Sequence, residues 1–354
     1  MSDLYLHGRS LVSVLGADLD AATAALATDG VPPHRVALPG GSAWPFYAID
    51  QAGPTWLARA RALVAQAAAE AEVSAVRDAP LFVASSSFQI GAVEAGEATL
   101  AGDYADFADS LAGALDWRGP VSLVSTACTS SLNALLVAAA TIRARQADDA
   151  VVLGIELANR YTLAGFAAMQ LLSQTGARPL GAARDGLVLG EAVSVLHLSR
   201  RPSRWRIAGG ASRVDGTDPT GARADTVAAL VRDALVAAGW AAESVDLVKV
   251  QAAGSPYNDV NEIDGLADVF SPLPPLVSLK AQIGHTLGAS GAAEIALLLA
   301  CLERGVWPPV AYAIDAGAGA TLASSCPTAA SRVLALILGF GGGYAAVALE
   351  DTGG

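Results

Sequence analysis

The chain has 354 residues, 53% of them hydrophobic and 16% charged, which is enough apolar material for one large core or two fused half-domains. A net charge of −12 with no Lys/Arg stripe excludes a nucleic-acid surface, because nothing is placed to neutralise phosphates. Three irregularly spaced cysteines argue against a disulfide framework and against a zinc site, so no metal is expected.

The first residues, Met-Ser-Asp-Leu-Tyr-Leu-His, lack the basic region and apolar core of a signal peptide. The apolar stretches are Ala-rich and broken by Gly, Pro or charge before about 18 residues, so no membrane span is expected. A soluble, cytoplasmic protein is the resulting expectation. Only two lysines, Lys249 and Lys280, stand among the 22 basic residues. A lysine in such a chain reads as kept for its own chemistry, with codon bias as the alternative.

In chain order, residues 3–15 alternate and then run apolar to Gly16, giving a strand and a turn. Residues 20–27 predict a short helix capped by Asp18 or Asp20. Residues 32–45, with Pro32, Pro33 and Pro45, read as irregular. Residues 56–73 predict an amphipathic helix, 81–85 a strand ending in Ser85-Ser86-Ser87, and 99–116 another helix.

Residues 121–124 read as a short buried strand, and 131–145 as a helix apolar almost all round, hence a central one. Cys128 lies between them. A thiol at the first turn of a helix faces free N–H groups and the positive dipole end, both of which favour thiolate. The junction therefore suits an activated nucleophile. A small buried hydrophobe is the plain alternative.

Residues 150–154 predict a strand ending at Glu156. Residues 160–172 carry Phe166 and Met169, which suit an apolar pocket or simple core packing. A turn at 183–191 leads into a strand at 192–198, in which His197 reads as a packed histidine. The polar segment 199–206 is the expected boundary, giving halves 1–206, with the cysteine, and 207–354, with the lysines and His285. The second half repeats the pattern: a helix at 222–238, a strand at 247–250, a loop at 252–259 and a helix at 262–270. Then a loop with Lys280 and His285 leads into an apolar helix at 292–302, mirroring the cysteine unit, so an internal duplication is visible. Strands at 334–338 and 344–349 flank the run Gly339-Phe-Gly-Gly-Gly343, which lets backbone pass close to a ligand or loop.

With Thr126-Ala-Cys128-Thr-Ser, Lys280, Gly284-His285, Gly288-Ala-Ser-Gly291 and Gly339-Phe-Gly-Gly in this order, the chain resembles the β-ketoacyl-(acyl carrier protein) synthases from about residue 10 to 350. The resemblance implies an α/β thiolase fold: two duplicated halves in a five-layer α-β-α-β-α stack, usually dimeric. It implies that Cys128 accepts an acyl chain as a thioester from the phosphopantetheine arm of an acyl carrier protein, with no other cofactor. In the family, two histidines then help a malonyl thioester lose CO2, and the carbanion extends the chain by two carbons. By motif position His285 is the second histidine, Lys280 the active-site lysine, and Glu262 its acidic partner. The N–H of Cys128 and that of Phe340 or Gly341 form the oxyanion hole, and Phe340 gates the acyl pocket.

The first family histidine is replaced. Where the pattern reads Val-x-Ala-His-Gly-Thr, this chain has Val250-Gln-Ala-Ala253-Gly-Ser255. The loop is also two residues shorter, and the chain is shorter around residues 30–100 than the family's pattern. Losing one oxyanion donor costs about 100- to 1,000-fold in rate, roughly 3–4 kcal/mol, so condensation is in question while acyl transfer needs mainly the cysteine. Three readings follow. One is an atypical ketosynthase subunit of a type II fatty-acid or polyketide pathway of the aryl-polyene kind, paired with a complete ketosynthase as chain-length factors are. A second is a stand-alone condensing enzyme or non-decarboxylating acyltransferase, as a homodimer. The third is a catalytically silent structural subunit. Arg200, Arg201, Arg204 and Arg206 suit either a docking patch for an acidic carrier protein or a solvated hinge.

Overall fold

Two sets of five strands follow one another along the chain with the same connectivity. The structure is a computed structural model that describes residues 3–28, 30–99, 104–218 and 220–353. The first set is β1 (Tyr5–Arg9), β2 (Leu81–Ala84), β3 (Val121–Val124), β4 (Asp149–Glu156) and β5 (Ala192–Ser199). The second is β6 (Trp205–Val214), β7 (Leu247–Lys249), β8 (Leu276–Val277), β9 (Arg332–Gly339) and β10 (Gly343–Asp351). In space they lie in the orders β3-β2-β4-β5-β1 and β8-β7-β9-β10-β6. Both sets begin with two parallel ladders and end with two antiparallel ones. A short antiparallel pairing, Tyr5 to Arg206 and Leu6 to Trp205, joins the two into one continuous path.

The helices used below are α1 (Leu19–Leu26), α2 (Trp56–Glu70), α3 (Tyr104–Ala114), α4 (Ser130–Arg143), α5 (Arg160–Ala168), α6 (Ala224–Ala238), α7 (Asn258–Ala267) and α8 (Ser290–Arg304). Helices α2 and α3 cover the outer face of the first set of strands, and α6 and α7 that of the second. Between the sets lie α4 and α8, which touch strands of both and each other. This is the five-layer α-β-α-β-α order that the resemblance implies. The composition of the middle layer follows from its place: every residue of α8 from Ser290 to Cys301 is buried, so the helix must be apolar all round. Close approach needs Gly291, since a Cβ there would stand 2.7 Å from the backbone nitrogen of Leu132 in α4.

Three local readings change. Residues 34–47 are not irregular: His34–Ala37 and Ala43–Tyr47 form a hairpin, and Phe46 and Tyr47 pair in parallel with Leu189 and Gly190. Pro45 is tolerated in the middle strand because it pairs on one side only, with Arg35, just before the residues that meet Leu189 and Gly190. Trp205–Val214 is a ten-residue strand starting inside the segment read as a hinge, because burial of Trp205 and Ile207 outweighs the polar composition. Helix α7 begins four residues before the expected start. The capping residue of α1 is Asp18, whose carboxylate accepts from the N–H of Ala21 at 2.7 Å. Part of the helix expected at 99–116 lies outside the described residues; the described part is α3.

Candidate active site

The cysteine sits on a tight turn between β3 and α4. Ala127, just before it, has φ +53°, a conformation that a Cβ disfavours. Side chains at the start of α4 hold that turn. The Ser130 hydroxyl accepts from the N–H of Thr126 at 2.9 Å and donates to the carbonyl of Ala127 at 2.6 Å. Thr129 donates to the carbonyl of Thr126 at 2.6 Å. The result is a buried thiol aimed away from its own helix.

His285 reaches it from the other half of the chain. Gly284, at φ +72°, turns the backbone, and the N–H of His285 donates to the carbonyl of Val188 at 2.7 Å. Its Nε2 lies 3.0 Å from the Cys128 Sγ, and its Nδ1 3.1 Å from the Ser290 hydroxyl in the first turn of α8. Burial, together with the charges of Lys280 and Lys249, holds the imidazole well below its ordinary pKa. The ring is therefore neutral at pH 7. With Nδ1–H donated to Ser290, the Nε2 lone pair faces the thiol.

The thiol itself departs from the local expectation. Burial pushes Cys128 up to about 11, against the opposing pull of the Phe340 and Cys128 N–H groups and the Lys280 charge. Dehydration outweighs the helix start because Cys128 precedes the helix and is sealed by packing. The resting pair is thiol and imidazole. Alkylation of Cys128 by iodoacetamide, followed by intact mass, is accordingly expected to climb about tenfold per pH unit up to about 11. A plateau near pH 8.5 would mean that the thiolate is stabilised instead.

The N–H groups of Cys128 and Phe340 face the sulfur closely enough to favour its thiolate, against the larger effect of burial. Gly341, at φ +80°, shapes the turn of the glycine run, and Gly342 lies under Asp215, where a Cβ would meet the carbonyl oxygen at 1.6 Å.

The carboxylate assigned to Lys280 needs correction. Glu262 does not pair with it. It accepts from the N–H groups of Gln251 at 2.7 Å and Ala252 at 2.8 Å, and burial pushes it up to about 7. Asp259, one turn earlier, accepts from Leu180, Ala253, Gly254 and Ser255. Both acids fold back from the first turn of α7 and hold the 251–255 loop. The partner of Lys280 is Glu294, which also forms an ion pair with Lys249 at 2.5 Å. Lys249 donates in addition to the carbonyl of Leu336 at 2.7 Å. All three side chains are buried. Glu294 follows Ser290 by four residues, on the same face of α8. Its signal in the sequence is a single acid inside an apolar helix.

Glu156, at the end of β4, is a second buried acid that motif reading left without a role. It accepts from the N–H groups of Ser86, Ser87 and Gly288, each at 2.9 Å, and from the Ser86 hydroxyl at 2.7 Å. It ties the serine loop to the turn that follows His285. Among the described residues no group of three or more His, Cys, Asp or Glu is placed to hold a metal, and no helix is long and apolar enough to cross a membrane.

This geometry agrees with what the chain is similar to. Residues 47–203 match the β-ketoacyl synthase N-terminal domain, and residues 205–313 the C-terminal domain. The chain belongs to the β-ketoacyl synthase family. It is 31% identical to the oxytetracycline polyketide putative β-ketoacyl synthase 1 of Streptomyces rimosus over 69% of this chain and 64% of that protein. It is 30% identical to the actinorhodin polyketide putative β-ketoacyl synthase 1 of Streptomyces coelicolor over 68% of this chain and 57% of that protein. The chain thus spans less than two thirds of either relative. Its thiolase fold matches a chain of the complex of the ketosynthase ApeO with its chain length factor ApeC from Xenorhabdus doucetiae, with a TM-score of 0.84, 22% identity, and coverage of 99% and 98% of the two chains. It matches the ishigamide ketosynthase/chain length factor with a TM-score of 0.83, 20% identity, and 99% coverage of each.

Against the family pattern, Ala253 is buried and lines a small cavity with Gln251, Cys128, His285 and Phe340. The cavity measures about 50 Å³. A water needs roughly 10–15 Å³ on that measure, so the cavity as it stands has room for a few waters. Phe340, one of its lining residues, stacks on Phe166 with ring centroids 5.2 Å apart. Met169, expected in the pocket, is instead 48% exposed. It ends α5, and the chain turns away at Gln170, φ +58°.

The arginine cluster is largely neutralised by acids. Arg201 pairs with Asp149, Arg204 with Asp351, and Arg206 with Glu350 and Asp3. Asp149 starts β4, whereas Glu156 ends it beside the site. At about 3.3 Å per residue the two ends of β4 are roughly 23 Å apart, so Arg201 and the site lie at opposite ends of this strand.

Proposed function

We propose that this chain is an acyl-transferring ketosynthase-type subunit that takes an acyl group from the phosphopantetheine arm of an acyl carrier protein onto Cys128. The observation that carries this is the 3.0 Å approach of the neutral His285 Nε2 to the Cys128 Sγ. In the step, Nε2 takes the Sγ proton as sulfur attacks the thioester carbonyl. The carbonyl oxygen, now negative, accepts from the N–H groups of Cys128 and Phe340. On collapse the bond to the pantetheine sulfur breaks, and that thiolate takes the proton back from Nε2.

The subunit works, in this reading, beside a complete ketosynthase in a type II polyketide or fatty-acid pathway of the aryl-polyene kind. Strand β3 supports a paired state: it bonds only to β2, leaving an open edge, and Val137, Tyr161 and Met169 are exposed apolar side chains. The X. doucetiae structure similar in fold is described as a ketosynthase in complex with its chain length factor.

The test is intact mass after incubation with acyl carrier protein thioesters, alone and with a co-expressed ketosynthase. An acyl adduct present in the wild type and absent in Cys128→Ala is the expected result. Absence of any adduct would overturn the reading in favour of a silent structural subunit.

A further inference from the structure

Of the residues that line the cavity beside Cys128, Gln251 alone carries a buried side-chain polar atom without a partner: its Oε1 makes no hydrogen bond. The other wall groups are engaged. His285 is committed to Cys128 and Ser290, and the N–H groups of Cys128 and Phe340 are assigned above to the carbonyl oxygen of the loading acyl group. Glu262 and Asp259 hold loop amides. Ala253 brings only a methyl group to this wall.

A buried carboxamide oxygen left unpaired is disfavoured, so its presence calls for an occupant that completes it. A half-turn about the terminal side-chain bond exchanges Oε1 and Nε2, and the same position then offers an N–H. Gln251 is held for this purpose: its own N–H is fixed on Glu262, and the residues from 253 to 255 are fixed on Asp259.

We infer that the Gln251 carboxamide is the hydrogen-bond donor to the carbonyl oxygen of an incoming malonyl-type thioester, so that the subunit condenses as well as loads. The inference rests on the acyl-transfer reading above. In the step, the bond between the α-carbon and the carboxylate breaks and CO2 leaves. The electron pair passes through the α-carbon to the thioester oxygen as an enolate, which Gln251 Nε2–H stabilises without giving up its proton. The α-carbon then attacks the acyl group on Cys128, the C–S bond breaks, and the Cys128 thiolate regains a proton from solvent by way of His285. The carboxamide acts on developing oxygen charge, as oxyanion donors do, and needs no titration of its own.

The experiment follows CO2 release from carboxyl-labelled malonyl carrier protein, with Cys128 loading measured by intact mass in the same samples. In Gln251→Ala, CO2 release is expected to fall about 100- to 1,000-fold more than loading does. Gln251→Glu, similar in size but an acceptor when ionised, should fall likewise. Adding Ala253→His to Gln251→Ala should restore release. CO2 release in Gln251→Ala that stays in proportion to loading would overturn the inference, as would a wild type that loads but releases no CO2. The latter leaves the acyl-transfer reading standing. A wild type that neither loads nor releases CO2 overturns both.

Discussion

Replacing His285 with alanine is expected to slow acyl loading of Cys128 by about 100- to 10,000-fold, the usual contribution of a positioned general base. The size follows from the thiol. With Cys128 near 11, only a small fraction is thiolate at pH 7.5, and the proton must leave as sulfur attacks. His285 Nε2 is the acceptor within reach at 3.0 Å. The pH profile separates this role from simple loss of packing. In the wild type, the depressed imidazole stays neutral well below pH 6.5, so loading should hold steady through pH 6. In His285→Ala, the residual rate should rise about tenfold per pH unit towards 11, because hydroxide then does what the imidazole did. External imidazole should restore part of the rate at neutral pH. A loss under tenfold, or a residual rate independent of pH, would remove His285 from the base role.

The parts of this site that were readable in the chain are those where short segments carry their own geometry. The Thr126–Ser130 turn and the Gly284-His285 turn are local, and the order of motifs named Cys128 and His285. The repeated strand, loop and apolar helix around each of them made the duplication visible. What could not be read depends on packing between distant segments. The direction of the Cys128 shift is one case: the nearby helix start argues for thiolate, and only burial of the sulfur among distant segments reverses it. The partner of Lys280 is another. Glu262 and Glu294 are both acids in helices of the second half, and only the crossing of α8 between the two sets of strands brings Glu294 to the lysines. The 34–47 hairpin was hidden by four prolines between residues 32 and 45, since its stability comes from pairing with the distant Leu189–Gly190 and not from its own composition.

Substituting Glu294 by glutamine is expected to cost about 3–5 kcal/mol of stability, the range for breaking a buried ion pair by removing one partner. Two ammonium groups converge on this one carboxylate, and neither reaches solvent. Glutamine keeps the shape but leaves both charges uncompensated. The charge explanation has a signature in pH. Burial already pulls Lys249 down to about 8, against an unfolded value near 10.4. Without Glu294 its folded value falls further. Between the folded and unfolded values the unfolded chain binds more protons, so stability rises with pH. The penalty in Glu294→Gln should therefore shrink as pH goes from 6.5 to 9, as Lys249 sheds its proton. Urea midpoints at the two pH values test this, and an unchanged midpoint at pH 6.5 would mean the cluster carries little energy. The triple variant Lys249→Met/Lys280→Met/Glu294→Leu removes every charge and keeps the volume, and such replacements are often neutral or stabilising. If that variant is as stable as the wild type yet loads Cys128 more slowly, with its acid limb moved up towards pH 6.5, then the cluster is retained for the field it places on His285, and its contribution to holding the fold together is replaceable.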